Sequence, residues 1–276
     1  MGTSIFLQLT RKVRLGAYHP ESYWSRVANE IKKRGPQNCL AGDDNPFFRY
    51  KRQKFLARFL NTIEFDSKVV LEVGPGPGGN LLQIVRTSRP RRVIGIDISS
   101  EMLDLAGKTL KGYETVVELH KSDGEHLPLA DAAVDLTFTV TVLHHNADTH
   151  MFQGLVSEVC RVTRHTVVLM EDTGGCHCDA SFVARPVEAY DAECRRHGFK
   201  LRNCQYLGLR ASRRAHDRIR RLLDSPNHLE GEPLGLPLVV ALKLLLLFTR
   251  PLDDLIPDKN DLTKMVFVRD SAPLTR

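Results

Sequence analysis

From residue 69 onward, short runs of β-branched and aliphatic residues alternate with longer stretches of mixed character. The runs predict strands at Val69–Val73, Arg92–Asp97, Thr115–Leu119, Val134–Val140, Thr166–Met170, Lys200–Leu207 and Thr263–Val268. Between them, segments such as Glu101–Leu110 and Phe152–Val162 carry apolar residues at helical spacing. Strands joined by crossover helices build a parallel sheet covered on both faces, so the expected class is α/β, with a doubly wound, seven-stranded, mostly parallel sheet.

Two regions break the alternation. Residues 1–66 are polar and basic with scattered aromatics, and are expected to form a helical N-terminal extension or cap. Its last part, NPFFRYKRQKFLARFL, places Phe48, Arg52, Phe55 and Phe59 near one helical face, which suits core packing better than a capping role. The rest, 67–276, is expected to be one domain with a helical insertion at about 208–262, before the last strand. That insertion opens with LRASRRAHDRIRRLL and ends with an apolar run from Leu238 to Phe248, which Lys243 interrupts. The run is shorter than the roughly 20 residues that cross a bilayer.

Composition changes this picture little. With 276 residues, 42% hydrophobic and 26% charged, the chain can bury one large core with appendages. A net charge of +6 permits attraction to nucleic acid, anionic lipid or acidic ligands without choosing among them. The six cysteines lack the spacing of a secreted disulfide scaffold, and MGTSIFLQLTRKVRL lacks the apolar core of a signal peptide. A cytoplasmic location is the expectation.

Candidate chemistry starts at EVGPGPGGN. Gly74, Gly76 and Gly79 satisfy the dinucleotide fingerprint, whose backbone N–H groups cradle phosphates. Pro75 and Pro77, however, remove two of those donors. Glu72 brings a carboxylate to the strand end, where it repels a pyrophosphate and suits a cation. Asp97 ends the next strand, placed to accept from ribose hydroxyls, and this position alone would also fit NAD.

Taken together, Glu72, Gly74, Gly76 and Gly78, Asp97 in RVIGIDIS, Asp123 in KSDGEHLPLADAAVDLTF, and the strand AVDLTFTVTVLHH resemble the class I S-adenosyl-L-methionine (SAM)-dependent methyltransferases, in their small-molecule, type 11-like branch. The resemblance spans about residues 66–171 and implies a Rossmann-like fold, SAM as cofactor and S-adenosyl-L-homocysteine as product. It also implies that Glu72 and the loop glycines face the methionine part, Asp97 the ribose, and Asp123 the adenine amino group, with Gly124 allowing close backbone approach. Ile98, Met102 and Thr139 complete the cofactor contacts expected on this basis.

A hydroxyl acceptor would need a general base near neutral pKa. His144 and His145 follow the fourth strand, and adjacent residues point in different directions, so only one is expected to face the pocket. Glu171 and Asp172 either bind substrate or cap the next segment. Cys176 and Cys178 are too close for a zinc pair, so no metal site is expected.

The resemblance implies transfer to a small-molecule acceptor, on oxygen in preference to carbon or nitrogen, with a hydrophobic or lipid-linked acceptor fitting the apolar insertion. A nucleic-acid methyltransferase, or a SAM-binding protein without transferase activity, is the alternative. TVLHH lacks the N/D/S-P-P-Y/F motif of nucleic-acid amino-methyltransferases, which disfavours a nucleic-acid partner. Arg210, Arg213, Arg214, Arg218, Arg220 and Arg221, followed by the apolar run, leave peripheral membrane contact through 210–250 as an expectation.

Overall fold

The computed structural model describes residues 19–33, 45–174, 178–179, 182–223, 235–255 and 262–270. Seven strands form the central sheet, in the spatial order β3 (Val117–Lys121), β2 (Arg92–Asp97), β1 (Val69–Val73), β4 (Val134–Val140), β5 (Thr163–Asp172), β9 (Leu262–Arg269) and β8 (Phe199–Tyr206). Neighbours from β3 to β5 are parallel, and β9 runs antiparallel to both β5 and β8. The doubly wound, mostly parallel sheet is therefore as expected from the sequence. A separate two-stranded hairpin, β6 (Cys178–Asp179) with β7 (Phe182–Val183), follows β5.

Helices α1 (Pro20–Lys33) and α2 (Pro46–Arg58) precede the sheet. The crossovers carry α3 (Gly79–Thr87), α4 (Ser100–Thr109), α5 (Thr149–Val162) and α6 (Val187–Arg196). Between β8 and β9 lie α7 (Arg210–Leu223) and α8 (Leu236–Leu255).

The strand β1, VVLEV, is buried along its whole length, as a central strand covered on both faces must be. Its period of two sends Val69, Leu71 and Val73 into a core shared with Phe152, Leu155, Val156 and Val159 of α5. Val70 joins the opposite core, with Phe55 of α2 and Leu81 and Ile84 of α3. Glu72 shares the parity of Val70, so a carboxylate is built into an otherwise apolar layer.

Local signals set the helix starts. The Ser99 hydroxyl accepts from the Met102 N–H at 3.2 Å to cap α4, and Asp148 accepts from His150 and Met151 N–H to cap α5. Asn45 accepts from Phe47 N–H with Pro46 at the first helical position of α2. Strands β8 and β9 differ from the hydrophobic pattern by one residue at each end, and two others by more. β3 starts at Val117 and not Thr115, because Val116 and Val117 N–H both donate to the Tyr113 carbonyl in a turn. β5 extends to Asp172 because antiparallel pairing with Leu262 and Thr263 continues beyond the apolar run.

The extension and insertion converge on one side. Val27, Ala28 and Ile31 of α1 pack against Met102 and Leu105 of α4. Tyr50 and Phe55 of α2 enter the main core, and α8 joins them through Leu246. Since β1 connects toward β2 on one side and β4 lies on the other, the strand order reverses between β1 and β4. A crevice opens there at the carboxyl ends of the strands.

Candidate active site

That crevice is a cavity of about 710 Å³, within the usual size of small-molecule sites. Its floor is the loop after β1, lined by Gly74, Pro75, Gly76, Pro77, Gly79 and Asn80. Gly74 adopts φ +71°, and a Cβ there would lie 2.4 Å from Val142 Cγ2, so only glycine lets the loop pass under the β4 turn. Gly78, at φ +82°, serves another purpose. Its Cα faces Ala106 of α4, which a Cβ would approach to 3.1 Å, and it does not line the cavity.

Asp97, at the end of β2, lines the cavity while only 7% exposed. Its carboxylate accepts from Gly76 N–H at 3.0 Å and Ser99 N–H at 2.9 Å, tying the glycine loop to the start of α4. Burial pushes its pKa up, against the backbone donors of Ser99 and Gly76. Ile98 and Met102 lie beside it in the wall.

Glu72 is fully buried and sits behind the wall, not in it. Its Oε1 accepts from Asn80 Nδ2 at 2.7 Å, whereas Oε2 is buried without a hydrogen-bond partner. Burial drives its pKa up to about 8, partly offset by the hydrogen bond from Asn80 and the charge of Arg52. Arg52 of α2 in turn donates to Asn80 Oδ1 at 3.4 Å.

After β3 the structure departs from expectation. Ser122 and Gly124 line the cavity, but the Asp123 side chain does not. Asp123 Oδ1 accepts from Glu125 and His126 N–H, which closes the turn and holds its pKa low while leaving the side chain in solvent. Gly124, at φ +89°, keeps the backbone against Ile98.

The turn after β4 is organised by Glu171, fully buried at the end of β5. It accepts from the Thr139 hydroxyl at 2.8 Å, from Val142 N–H at 3.1 Å and from His144 N–H at 3.3 Å, and its Oε2 lies 3.1 Å from His144 Nδ1. Burial would raise its pKa, yet the hydrogen bond and charge of His144 and the Thr139 hydroxyl hold it low. Thr139 and His144 are thereby buried as supports and do not line the cavity. His145 does, with its ring edge-on to Trp24 at 5.0 Å. One histidine faces the cavity, and the other fixes the turn that presents it. Glu171 thus supports the β4 turn from behind and does not line the cavity.

The rest of the wall comes from elements that the motif reading left out. Trp24 and Val27 of α1, Phe48, Arg49, Lys51, Arg52, Phe55 and Leu56 of α2, and Met151 and Leu155 of α5 line it. Helix α2 is thus a cavity wall as well as a core helix. The only sequence signal was its mixed face, aromatic and cationic together. Cys176 lies outside the described residues, as does the side chain of Cys178. Among the described residues no group of three or more His, Cys, Asp and Glu could hold a metal.

Comparison with known proteins agrees with this geometry. The profile of the methyltransferase domain family matches residues 70–166, from β1 into β5. Residues 70–166 therefore carry a methyltransferase domain, and the fold around them is that of the class I SAM-dependent methyltransferases. A fatty-acid O-methyltransferase of Mycolicibacterium smegmatis is 31% identical over 131 residues, 47% of this chain and 45% of that protein. An uncharacterized 37.1 kDa protein in transposon TN4556 of Streptomyces fradiae is 39% identical over 79 residues, 28% of this chain and 23% of that one. The match thus spans less than half the length of either relative.

Among solved structures, the magnesium protoporphyrin IX methyltransferase of Synechocystis with bound S-adenosyl-L-homocysteine aligns at TM-score 0.58 and 12% identity, covering 91% of this chain and 98% of that one. The [4+2]-cyclase SpnF aligns equally well, at TM-score 0.58 and 14% identity over 91% and 95% of the two chains. At such identities the likeness establishes the fold, which hosts more than one chemistry.

The residues of the cavity fit SAM on their own chemistry. Glu72 does not line the cavity, but its buried Oε2 has no hydrogen-bond partner behind Asn80, which does line it, so it is the acceptor that an ammonium group reaching past the loop would satisfy. Asp97 offers its remaining lone pairs to ribose hydroxyls. Arg52, beside Asn80, is placed to hold a carboxylate. Ile98, Met102 and Leu127 offer an apolar slot for an adenine ring, and the prolines of the loop withhold the donors that a pyrophosphate would require.

Proposed function

We propose that this methyltransferase carries out O-methylation of a hydrophobic small molecule with an acidic oxygen, of the kind found in a fatty-acid carboxylate. The observation that carries the reading is the composition of the wall beyond the glycine loop. Trp24, Phe48, Phe55, Leu56, Val142 and Met151 make it apolar, while Arg49 and Lys51 of α2 add positive charge. Such a wall favours an apolar body with an anionic head. The resemblance to a fatty-acid O-methyltransferase supports the same class.

Bound SAM supplies a methyl group already activated by its sulfonium. What the chain must add is alignment and exclusion of water. Asp97, Arg52 and Glu72 would hold the cofactor at separate points, and α1 and α2 close over the strand ends to exclude solvent. A carboxylate is ionised at neutral pH and needs no base. His145 then orients the acceptor, with its ring fixed by Trp24.

The test is transfer of labelled methyl from SAM to a long-chain acid, the matching alcohol and the matching amine. The acid should be the best substrate, and His145→Gln should lower its turnover less than about tenfold, below the 10²- to 10⁴-fold loss typical of a missing general base. Arg49→Ala should raise KM for the acid while leaving SAM affinity near wild type. Preferential methylation of the alcohol, with turnover abolished by His145→Gln, would replace this reading by base-assisted transfer to a hydroxyl.

A further inference from the structure

We propose that the outer face of α7 and α8 docks the enzyme on an anionic lipid surface, independently of which acceptor the cavity takes. Among the described residues, eight of the ten exposed large hydrophobic side chains belong to these two helices. Seven lie on α8: Leu236, Val240, Leu244, Leu247, Phe248, Leu252 and Leu255. Their spacing of three or four places them in one stripe along the outer face of a 20-residue helix, about 30 Å long. Leu222, 81% exposed, adds to the apolar surface at the end of α7.

The opposite face of α8 is fully specified. Leu238, Leu242 and Leu246 are buried, and Thr249 Oγ1 accepts from the Ser212 hydroxyl at 2.8 Å. Asp253 accepts from Ala211 and Ser212 N–H at the start of α7, and Asp254 pairs with Lys54 and Arg58 of α2. The helix therefore cannot rotate to hide its leucines without breaking these contacts. Its exposed stripe is a consequence of how it is held. No helix of the described residues is long and apolar enough to cross a membrane, so such a stripe could only lie along one.

Charge selects the occupant. Helix α7 carries six arginines against a single acid, Asp217, which His216 contacts at 3.1 Å. Arg214, Arg218 and Arg221 repeat at four and three residues on its exposed side. On α8, Lys243 and Arg250 are exposed, whereas Asp253 is buried and Asp254 is paired. Arg213 pairs with Asp172, but an apolar stripe beside the exposed cations Arg214, Arg218, Lys243 and Arg250 matches acyl chains beneath anionic headgroups. Pairing this face with a second copy would bring like charges together. Helix α2 lies under both α7 and α8 through Phe47, Lys54 and Tyr50, and lines the cavity, so the docked face adjoins the wall of the active site.

The full-length protein should sediment with vesicles of phosphatidylcholine and phosphatidylglycerol, mixed at about three to one, far more than with phosphatidylcholine alone, and added salt should release it. Reversing Arg214 and Arg218 to Glu should lower the partition coefficient at least about 30-fold, roughly fivefold or more per cation. Leu244→Glu with Phe248→Glu should lower it at least about tenfold even at low salt. All four positions are surface sites, and circular dichroism checks that the variants fold. Phe248→Trp provides a second readout, a blue-shifted emission on anionic vesicles. Wild-type protein that ignores these vesicles at low salt overturns the proposal. So does a stable dimer that Leu244→Glu with Phe248→Glu dissociates, which would assign the face to a second copy.

Discussion

Replacing Glu72 by Gln should make the ligand-free protein more stable and its SAM site weaker. In the fold, burial raises the carboxyl from its ordinary 4.5 to about 8. A carboxyl whose pKa is raised by folding favours the native state below the unfolded value. That advantage is lost as pH climbs from 4.5 to 8, because the unfolded chain ionises first. The interval corresponds to about 5 kcal/mol at 1.36 kcal/mol per pKa unit. Gln keeps the shape and can still meet Asn80, but never ionises. The variant should therefore match wild type near pH 4.5 and exceed it by about 5 kcal/mol at pH 9. Urea unfolding of both ligand-free proteins between pH 5 and 9 measures the gap directly. In calorimetry at pH 8.5 the variant should bind SAM at least tenfold more weakly, having lost the anion that suits an ammonium group. A stability gap that stays constant across the pH range would refute the buried, proton-holding carboxyl. Unchanged SAM affinity would remove Glu72 from the cofactor site.

Two further perturbations address the loop. Asp97→Asn leaves either Gly76 or Ser99 N–H facing an amide donor, so SAM affinity should fall by about 1.5–3 kcal/mol, roughly 10- to 150-fold; calorimetry giving affinity within twofold of wild type would exclude Asp97 as a ribose ligand. Gly74→Ala forces a Cβ to within 2.4 Å of Val142 at φ +71°, so it should lower both Tm and SAM affinity. Combining it with Val142→Ala should recover part of the Tm by removing the clash but not the backbone strain, and full recovery would show that the positive φ costs nothing.

Sequence periodicity by itself determined the sheet and its ligand end. Strands of four to eight aliphatic residues, glycines at fixed offsets and acids at strand ends are local features, and Gly74, Gly76, Asp97, Ile98, Met102 and Gly124 all line the cavity that those features pointed to. Side-chain direction and distant packing were decided only in three dimensions. The pair His144 and His145 is indistinguishable in sequence; Glu171, 27 residues later, draws the first inward and leaves the second facing the cavity. Asp123 was placed at the adenine by its motif, but a tight turn closed by its own carboxylate turns it to solvent and leaves Ser122 and Gly124 in the wall.

Trp24, Phe48 and Arg52 come from an extension whose approach to the strand ends depends on how α1 and α2 pack, which no local pattern encodes. The leucine-rich α8 is the clearest case. Because leucines occur on every side of it and Lys243 alone interrupts the run from Leu238 to Phe248, its sequence gives no inner face. Polar contacts at Thr249, Asp253 and Asp254 choose Leu238, Leu242 and Leu246 for burial and leave Leu244, Leu247 and Phe248 outside.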